Sequence, residues 1–184
     1  MRLLSDTRLL QGCFAAGLCV ILTATVSAAL ALQYIGGFMP CELCLLERIP
    51  YYIGASLAAL AFVAALCRCP PKWVAFLFIL IALLMFYDAA LSVYHVGVEL
   101  GYWKGPTGCS LAAAQAQQSG SLLDSLENSV RIIPCEVPAG YIFGISFAGW
   151  NAIATFFFAL CAVFAARFPF ARGRRARVNS AGHE

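Results

Sequence analysis

Long stretches of this chain carry no charge at all, and that fact limits its fold more than any motif does. Runs without Asp, Glu, Lys or Arg cover Leu9–Cys41, Ile49–Cys67, Trp73–Tyr87 and Val137–Ala166. A helix crosses the hydrocarbon core of a bilayer with about 20 apolar residues, within a range of about 17 to 25. Lipid offers no partner for backbone N–H and C=O groups, so such a segment must be helical to satisfy them internally. The first, second and fourth runs suffice as they stand. The third reaches the required length by extending past Asp88 toward Tyr94, which puts that carboxylate near the headgroups. A fifth uncharged run, Gly105–Leu123, is rich in Gly, Gln and Ser and contains Pro106, and reads as a loop.

The expectation is therefore an all-α integral membrane protein: one four-transmembrane-helix bundle over residues 1–184. Its spans fall roughly at 10–34, 47–66, 73–94 and 141–166. Two outward loops lie at about 35–46 and 95–140. A composition that is 62% hydrophobic and only 11% charged excludes a soluble domain of this size. Ala29-Leu30-Ala31 resembles a small-x-small cleavage site, but the apolar core ahead of it, Gly12 to Leu32, exceeds the roughly 7–15 residues of a signal peptide. The first run reads as a retained span.

Basic residues set the orientation. With four spans, the amino end, the Cys67–Lys72 connection and the carboxyl tail share one side. That side holds Arg2, Arg8, Arg68, Lys72, Arg167, Arg172, Arg174, Arg175 and Arg177, nine of the twelve basic residues; only Arg48, Lys104 and Arg131 lie opposite. Both termini are expected in the cytoplasm. The basic tail reads as an anchor against anionic lipid rather than a nucleic-acid patch.

This topology sorts the cysteines by compartment. Cys41, Cys44, Cys109 and Cys135 lie outside, where disulfides persist. Cys67 and Cys69 face the reducing side, and Cys13, Cys19 and Cys161 fall within spans, where cysteine acts as a small apolar residue. Four outward cysteines allow three pairings; sequence spacing favours Cys41–Cys44 and Cys109–Cys135. A Cys109–Cys135 bridge would stabilise by roughly 3–4 kcal/mol through the loop it closes. A Cys41–Cys44 bridge closes almost no loop, so its use is chemical rather than structural. The outward cysteines lack the second close-spaced pair of a structural zinc site, and no metal is expected.

Pro40 precedes Cys41, and apolar residues resume after Cys44, which puts the Cys-x-x-Cys at the first turn of the second helix. Orphan N–H groups and the positive end of the helix dipole favour a thiolate there. Cys44 and Arg48 are i and i+4 and share a helix face, with Glu47 directed elsewhere. Arg48 is read as stabilising a thiolate or the charge developing on an electron acceptor, in preference to an arginine merely snorkelling to the headgroups. His95 is a candidate proton carrier or ring-binding group at the outer interface. In the long loop, Leu122, Leu123, Leu126 and Val130 recur at helical spacing, which suits a short helix lying on the membrane surface. Gly140-x-x-x-Gly144 is expected to open the fourth helix and permit close helix contact.

These residues match a known pattern. Pro40-Cys41-Glu42-Leu43-Cys44-Leu45-Leu46-Glu47-Arg48 resembles the signature of the bacterial disulfide bond formation protein B family, DsbB. Tyr94-His95-Val96-Gly97-Val98-Glu99 and Gly105-Pro106-Thr107-Gly108-Cys109 resemble its approach to the second outward cysteine pair. Phe143 to Asn151 is similar to the start of its last helix. The resemblance implies a bacterial inner-membrane enzyme that reoxidises a periplasmic thioredoxin-fold dithiol oxidase, DsbA-like, and passes the electrons to a membrane quinone (ubiquinone or menaquinone). It implies that Cys109 forms the mixed disulfide with the partner and that Cys135 is its loop partner. Cys41–Cys44 receive the electrons, with Cys44 against the quinone ring. Arg48 stabilises the quinone, and His95 matches an outer-interface histidine.

Two other readings compete. A vitamin K epoxide reductase-like protein also pairs loop cysteines with a membrane Cys-x-x-Cys, but there the loop pair comes first, and here it follows. A non-catalytic membrane scaffold stapled by disulfides would also use four outward cysteines, without needing two of them three residues apart.

Overall fold

The computed structural model describes residues 2–37, 40–106, 135–136 and 138–181, with side chains from Thr7 to Pro169 within them. These residues form four long helices, α1 (Arg2–Tyr34), α2 (Glu42–Leu66), α3 (Pro71–Glu99) and α4 (Phe147–Ala181). All four are long and apolar enough to cross a membrane, the fourth over Phe147–Pro169. Each helix packs on its neighbour in the chain, and α4 returns to touch α1, so the bundle closes. The proposed surface helix in the long loop lies outside the described residues.

The core is built for close approach. Ala15, Ala58, Ala61, Ala75, Ala159, Ala162 and Ala165 are fully buried between helices, with Phe78, Leu22, Ile81 and Met85 filling the remaining space. Small residues let helix backbones approach in a medium where burying an apolar side chain gives no solvent-driven gain. The large apolar side chains that remain exposed, including Val20, Leu60, Phe76, Leu83, Phe157 and Phe164, lie on the outside of the spans. An aqueous protein rarely shows so much continuous apolar surface; lipid-facing walls require it.

Helix boundaries follow local chemistry. α2 starts at Glu42, ahead of the span expected from residue 47, because Cys41 serves as its N-cap: extended at φ −74° and ψ 172°, its sulfur accepts from the Cys44 N–H. Pro50 then stands inside α2, where it removes the N–H that would have bonded the Leu46 carbonyl. Between α2 and α3, Arg68 takes a left-handed φ of 58° and Pro71 occupies the first turn of α3, where its missing N–H costs nothing.

The fourth helix departs from expectation. Residues 141–146 form a small hairpin, β1 (Tyr141–Ile142) paired antiparallel with β2 (Ile145–Ser146). Phe143 at φ 52° and Gly144 at φ 79° make its two-residue turn, the twist that suits a tight hairpin. Gly144 thus serves a turn and not a helix contact, which corrects the Gly-x-x-x-Gly reading. α4 begins only at Phe147.

The start of the long loop is docked back onto α3. Gly101 adopts φ 76°, Tyr102 N–H bonds the Gly97 carbonyl at 2.8 Å, and Trp103 stacks on Tyr94 with ring centroids 5.7 Å apart. Tyr94 also donates to the Lys104 carbonyl at 2.8 Å. The Trp103 ring lies where a Gly97 Cβ would be. Gly97→Ala must therefore expel the indole, at a cost of about 1–3 kcal/mol by analogy with overpacked cores. Thermal unfolding in detergent should drop accordingly, and maleimide should label Cys135, which packs close to Gly105, faster than in the parent protein.

Candidate active site

The start of α2, the end of α3 and the start of α4 converge on the Cys-x-x-Cys. Cys41 caps α2 and Cys44 is the third residue of its first turn, so both sulfurs sit at the positive end of the helix. The Cys41 S–H donates to Cys44 Sγ at 3.0 Å, and the Cys44 N–H donates to Cys41 Sγ at 3.3 Å. Both are free thiols in this structure. The hydrogen bond to Cys44 pushes the Cys41 thiol well above its ordinary range; burial adds to the effect.

His95, from the last turns of α3, faces the pair. It is 4% exposed, its Nε2 lies 3.6 Å from Cys41 Sγ, and its Nδ1 lies 2.9 Å from Glu47 Oε1. A carboxylate accepts this hydrogen bond, so Nδ1 carries a hydrogen and Nε2 is the nitrogen turned toward the sulfurs. Glu99 Oε1 stands 4.0 Å from the same Nε2. The histidine expected at the outer interface is thus a central group. Glu47 was expected to point away; it is 6% exposed and fixes the imidazole.

Behind this contact lies a polar cluster that the sequence did not reveal. Asn151 of α4 donates through Nδ2 toward Ser92 Oγ at 2.8 Å, Glu47 Oε2 at 3.3 Å and Asp88 Oδ2 at 3.4 Å, and its Oδ1 accepts from Tyr51 at 2.6 Å. Asp88 is fully buried, and its Oδ1 has no hydrogen-bond partner among the described residues. That corrects the expectation of a headgroup-level carboxylate: the third span runs on to Glu99, so Asp88 faces its neighbours inside the bundle. Acids inside spans turn toward the protein interior because lipid cannot solvate them.

Cys135 is 2% exposed and shares a buried cluster with Cys41, Leu43 and Val98. The structure therefore brings one loop cysteine to the Cys-x-x-Cys. Cys109, its expected partner, lies outside the described residues.

Between α1, α2 and α4 opens a cavity of about 390 Å³. Apolar residues dominate its wall, among them Val26, Ala29, Leu32, Ala148 and Trp150, and its polar rim holds Cys41, Cys44, Arg48, Gln33 and His95. Arg48 reaches across to Gln33 Oε1 on α1, so the guanidinium is anchored beside the cavity rather than extended to the headgroups. The size falls in the range of about 300–1,000 Å³ typical of small-molecule sites. A flat ring bearing carbonyl oxygens fits such a space: apolar walls for its faces, Arg48 as a donor, a sulfur at one side. Missed by sequence reasoning were Glu47, Asp88, Ser92, Tyr51 and Asn151. A signal existed for the acids, since any carboxylate flanked by span residues must find a buried partner.

Two outcomes follow from this geometry. Asn151→Leu strands Glu47, Asp88, Ser92 and Tyr51 together, and since each buried polar group left unpaired costs about 1–3 kcal/mol, a marked fall in the unfolding temperature in detergent is expected, larger than for Asn151→Gln. In the reduced protein with chelator present, Cys41 stays a thiol at about pH 8.5, where an ordinary cysteine is half ionised. The midpoint of its alkylation by iodoacetamide therefore lies above that pH, and Cys44→Ala lowers the midpoint by removing the largest of its causes; peptide mass spectrometry reads both.

The family profile described as disulfide bond formation protein DsbB matches residues 11–165. A protein of Rickettsia prowazekii (strain Madrid E), itself described as uncharacterized, is 30% identical over 139 residues, 73% of this chain and 77% of that protein. No solved structure matches the chain. With four membrane-capable helices and a Cys-x-x-Cys at one end of the bundle, the chain belongs to the DsbB family of membrane disulfide oxidoreductases.

Proposed function

We propose that the protein reoxidises a periplasmic thioredoxin-fold dithiol protein of the DsbA kind and delivers the electrons to a membrane quinone, ubiquinone or menaquinone. The observation that carries this reading is the position of Cys41 and Cys44, with buried Cys135 on one side and the Arg48-rimmed cavity on the other. The skew of basic residues toward one side supports an inner-membrane protein with both termini in the cytoplasm.

The exchange steps balance as follows. A thiolate of the partner attacks Cys109 of a Cys109–Cys135 disulfide, and the partner's second thiol resolves the mixed disulfide, leaving Cys109 and Cys135 reduced. Cys135 then attacks Cys41, its neighbour in the buried cluster. A Cys135–Cys41 bond forms, the Cys41–Cys44 bond breaks, and Cys44 leaves with the electron pair. Attack of Cys109 on Cys135 restores the loop disulfide and frees Cys41. Two electrons have moved from the loop couple to Cys41 and Cys44.

The residues lining the cavity, Arg48 and Cys44 among them, would hold a quinone, which when bound would supply a sink for those two electrons and two protons as the Cys41–Cys44 bond re-forms. The chain's own residues prepare that transfer. Cys44 Sγ borders the cavity, and Arg48 brings a permanent positive charge to its rim. His95 Nε2 lies 3.6 Å from Cys41 Sγ, near enough to exchange a proton with it, and Glu47 holds the ring in that orientation.

The test is a trapping experiment in cells. With Cys135 changed to Ser, Cys109 has no loop partner; its thiolate attacks the disulfide of an oxidised soluble periplasmic protein, and the resulting mixed disulfide should accumulate and be identified by mass spectrometry. Absence of any adduct, or an adduct through Cys67 or Cys69, overturns both the relay and the assigned sidedness.

A further inference from the structure

We propose that the reduced protein binds one thiophilic divalent cation of the zinc class, with Cys41, Cys44 and His95 as its ligands. The donor atoms, two Sγ and an imidazole nitrogen, all lie within 4.8 Å of one another. They come from two helices, the first turn of α2 and the end of α3, and all three line the same cavity.

The spacing suits tetrahedral coordination. Zinc–sulfur bonds of about 2.3 Å and zinc–nitrogen bonds of about 2.0–2.1 Å put sulfur and nitrogen about 3.6 Å apart across a tetrahedral angle. Cys41 Sγ and His95 Nε2 are 3.6 Å apart already. Two sulfurs on one zinc stand about 3.8 Å apart, so the Cys41–Cys44 separation of 3.0 Å must widen by a rotation at one side chain.

A second and independent feature is the carboxylate behind the histidine. A ligating histidine almost always gives its other N–H to a carboxylate or carbonyl, which fixes the tautomer and raises the basicity of the ligating nitrogen. Glu47 Oε1, 2.9 Å from His95 Nδ1, occupies that position. The fourth coordination place is open to Glu99, whose Oε1 is 4.0 Å from His95 Nε2, or to Cys135 beside Cys41. The sequence expectation of no metal rested on counting cysteines alone; the fold supplies the nitrogen.

Redox state gates this site. Binding requires both thiols to give up their protons, and a Cys41–Cys44 disulfide has no thiolate to offer. The cation therefore holds only the dithiol form, withdraws both sulfurs from exchange and arrests turnover until a chelator removes it. The inference needs only that Cys41 and Cys44 can be reduced; it does not depend on the identity of the partner or of the electron acceptor.

Cobalt(II) is the probe, because thiolate ligation gives a charge-transfer band and tetrahedral geometry gives intense visible bands. It is titrated into the full chain in detergent, carrying Cys67→Ser and Cys69→Ser to remove the other close pair. The reduced protein should show both features at one equivalent, and zinc should bleach them. Oxidation of Cys41–Cys44 should abolish them without any mutation in the site. His95→Gln should weaken binding at least tenfold, and Glu47→Gln by about 10–100-fold, the usual effect of removing such a supporting carboxylate. Failure of the reduced protein to develop the bands overturns the proposal, as do bands that survive oxidation or an affinity unchanged in His95→Gln.

Discussion

The contact between Glu47 and His95 is the interaction on which the Cys-x-x-Cys end of this molecule depends. It joins α2 to α3 at 2.9 Å, and through Glu47 Oε2 and Asn151 it reaches α4. In an apolar interior surrounded by lipid, a carboxylate or amide without a partner costs several kcal/mol. Sliding or turning any one of the three helices would break this set of bonds. The cluster thus fixes the helices' register while aiming the imidazole at the sulfurs. Interhelical hydrogen bonds in membranes average well under 2 kcal/mol each, so the specificity comes from several converging on one amide.

The second constraint is the start of α2. Proline forces the chain into an extended entrance at Pro40-Cys41, and Cys41 then does what serine or aspartate does at most helix starts: its side chain receives an orphan N–H. Capping by a cysteine places Cys44 in the same turn, with the sulfurs 3.0 Å apart. A reversible bond between them asks for little backbone movement. Cys135 shares the buried cluster of Cys41, with Cys44 packed against it, and both sulfurs of the pair border the cavity beside Arg48.

Much of this was legible in the sequence because the bilayer imposes a one-dimensional rule. Charge-free runs marked the four spans, and the Cys-x-x-Cys with Arg48 marked the site. What the sequence hid was direction. Glu47, one residue before Arg48, points about 100° away from it, as the helix requires, but the sequence does not show that this direction leads into the bundle and onto His95. Asp88 was assigned to the headgroups by span length, yet α3 continues to Glu99 and buries it. The hairpin at 141–146 escaped notice since Tyr-Ile-Phe-Gly-Ile-Ser is as apolar as a helix start; only the left-handed φ at Phe143 and Gly144 separates the two. Asn151 gave no local signal, because its partners are 59 or more residues away in the chain.

The same geometry that makes the pair a good electron carrier makes it a good ligand set, and the two roles cannot coexist. Exchange needs Cys41 and Cys44 to form and break one bond to each other; coordination needs them apart, on a common cation. In both proposed roles His95 would act through the nitrogen that faces Cys41, and Glu47 holds the opposite side of the ring. An oxidised resting pair therefore protects the site from soft cations, since it presents no thiolate. In the proposed relay the reduced pair is exposed to them only for as long as electrons wait to leave, so fast removal of those electrons would also limit the time for metal capture.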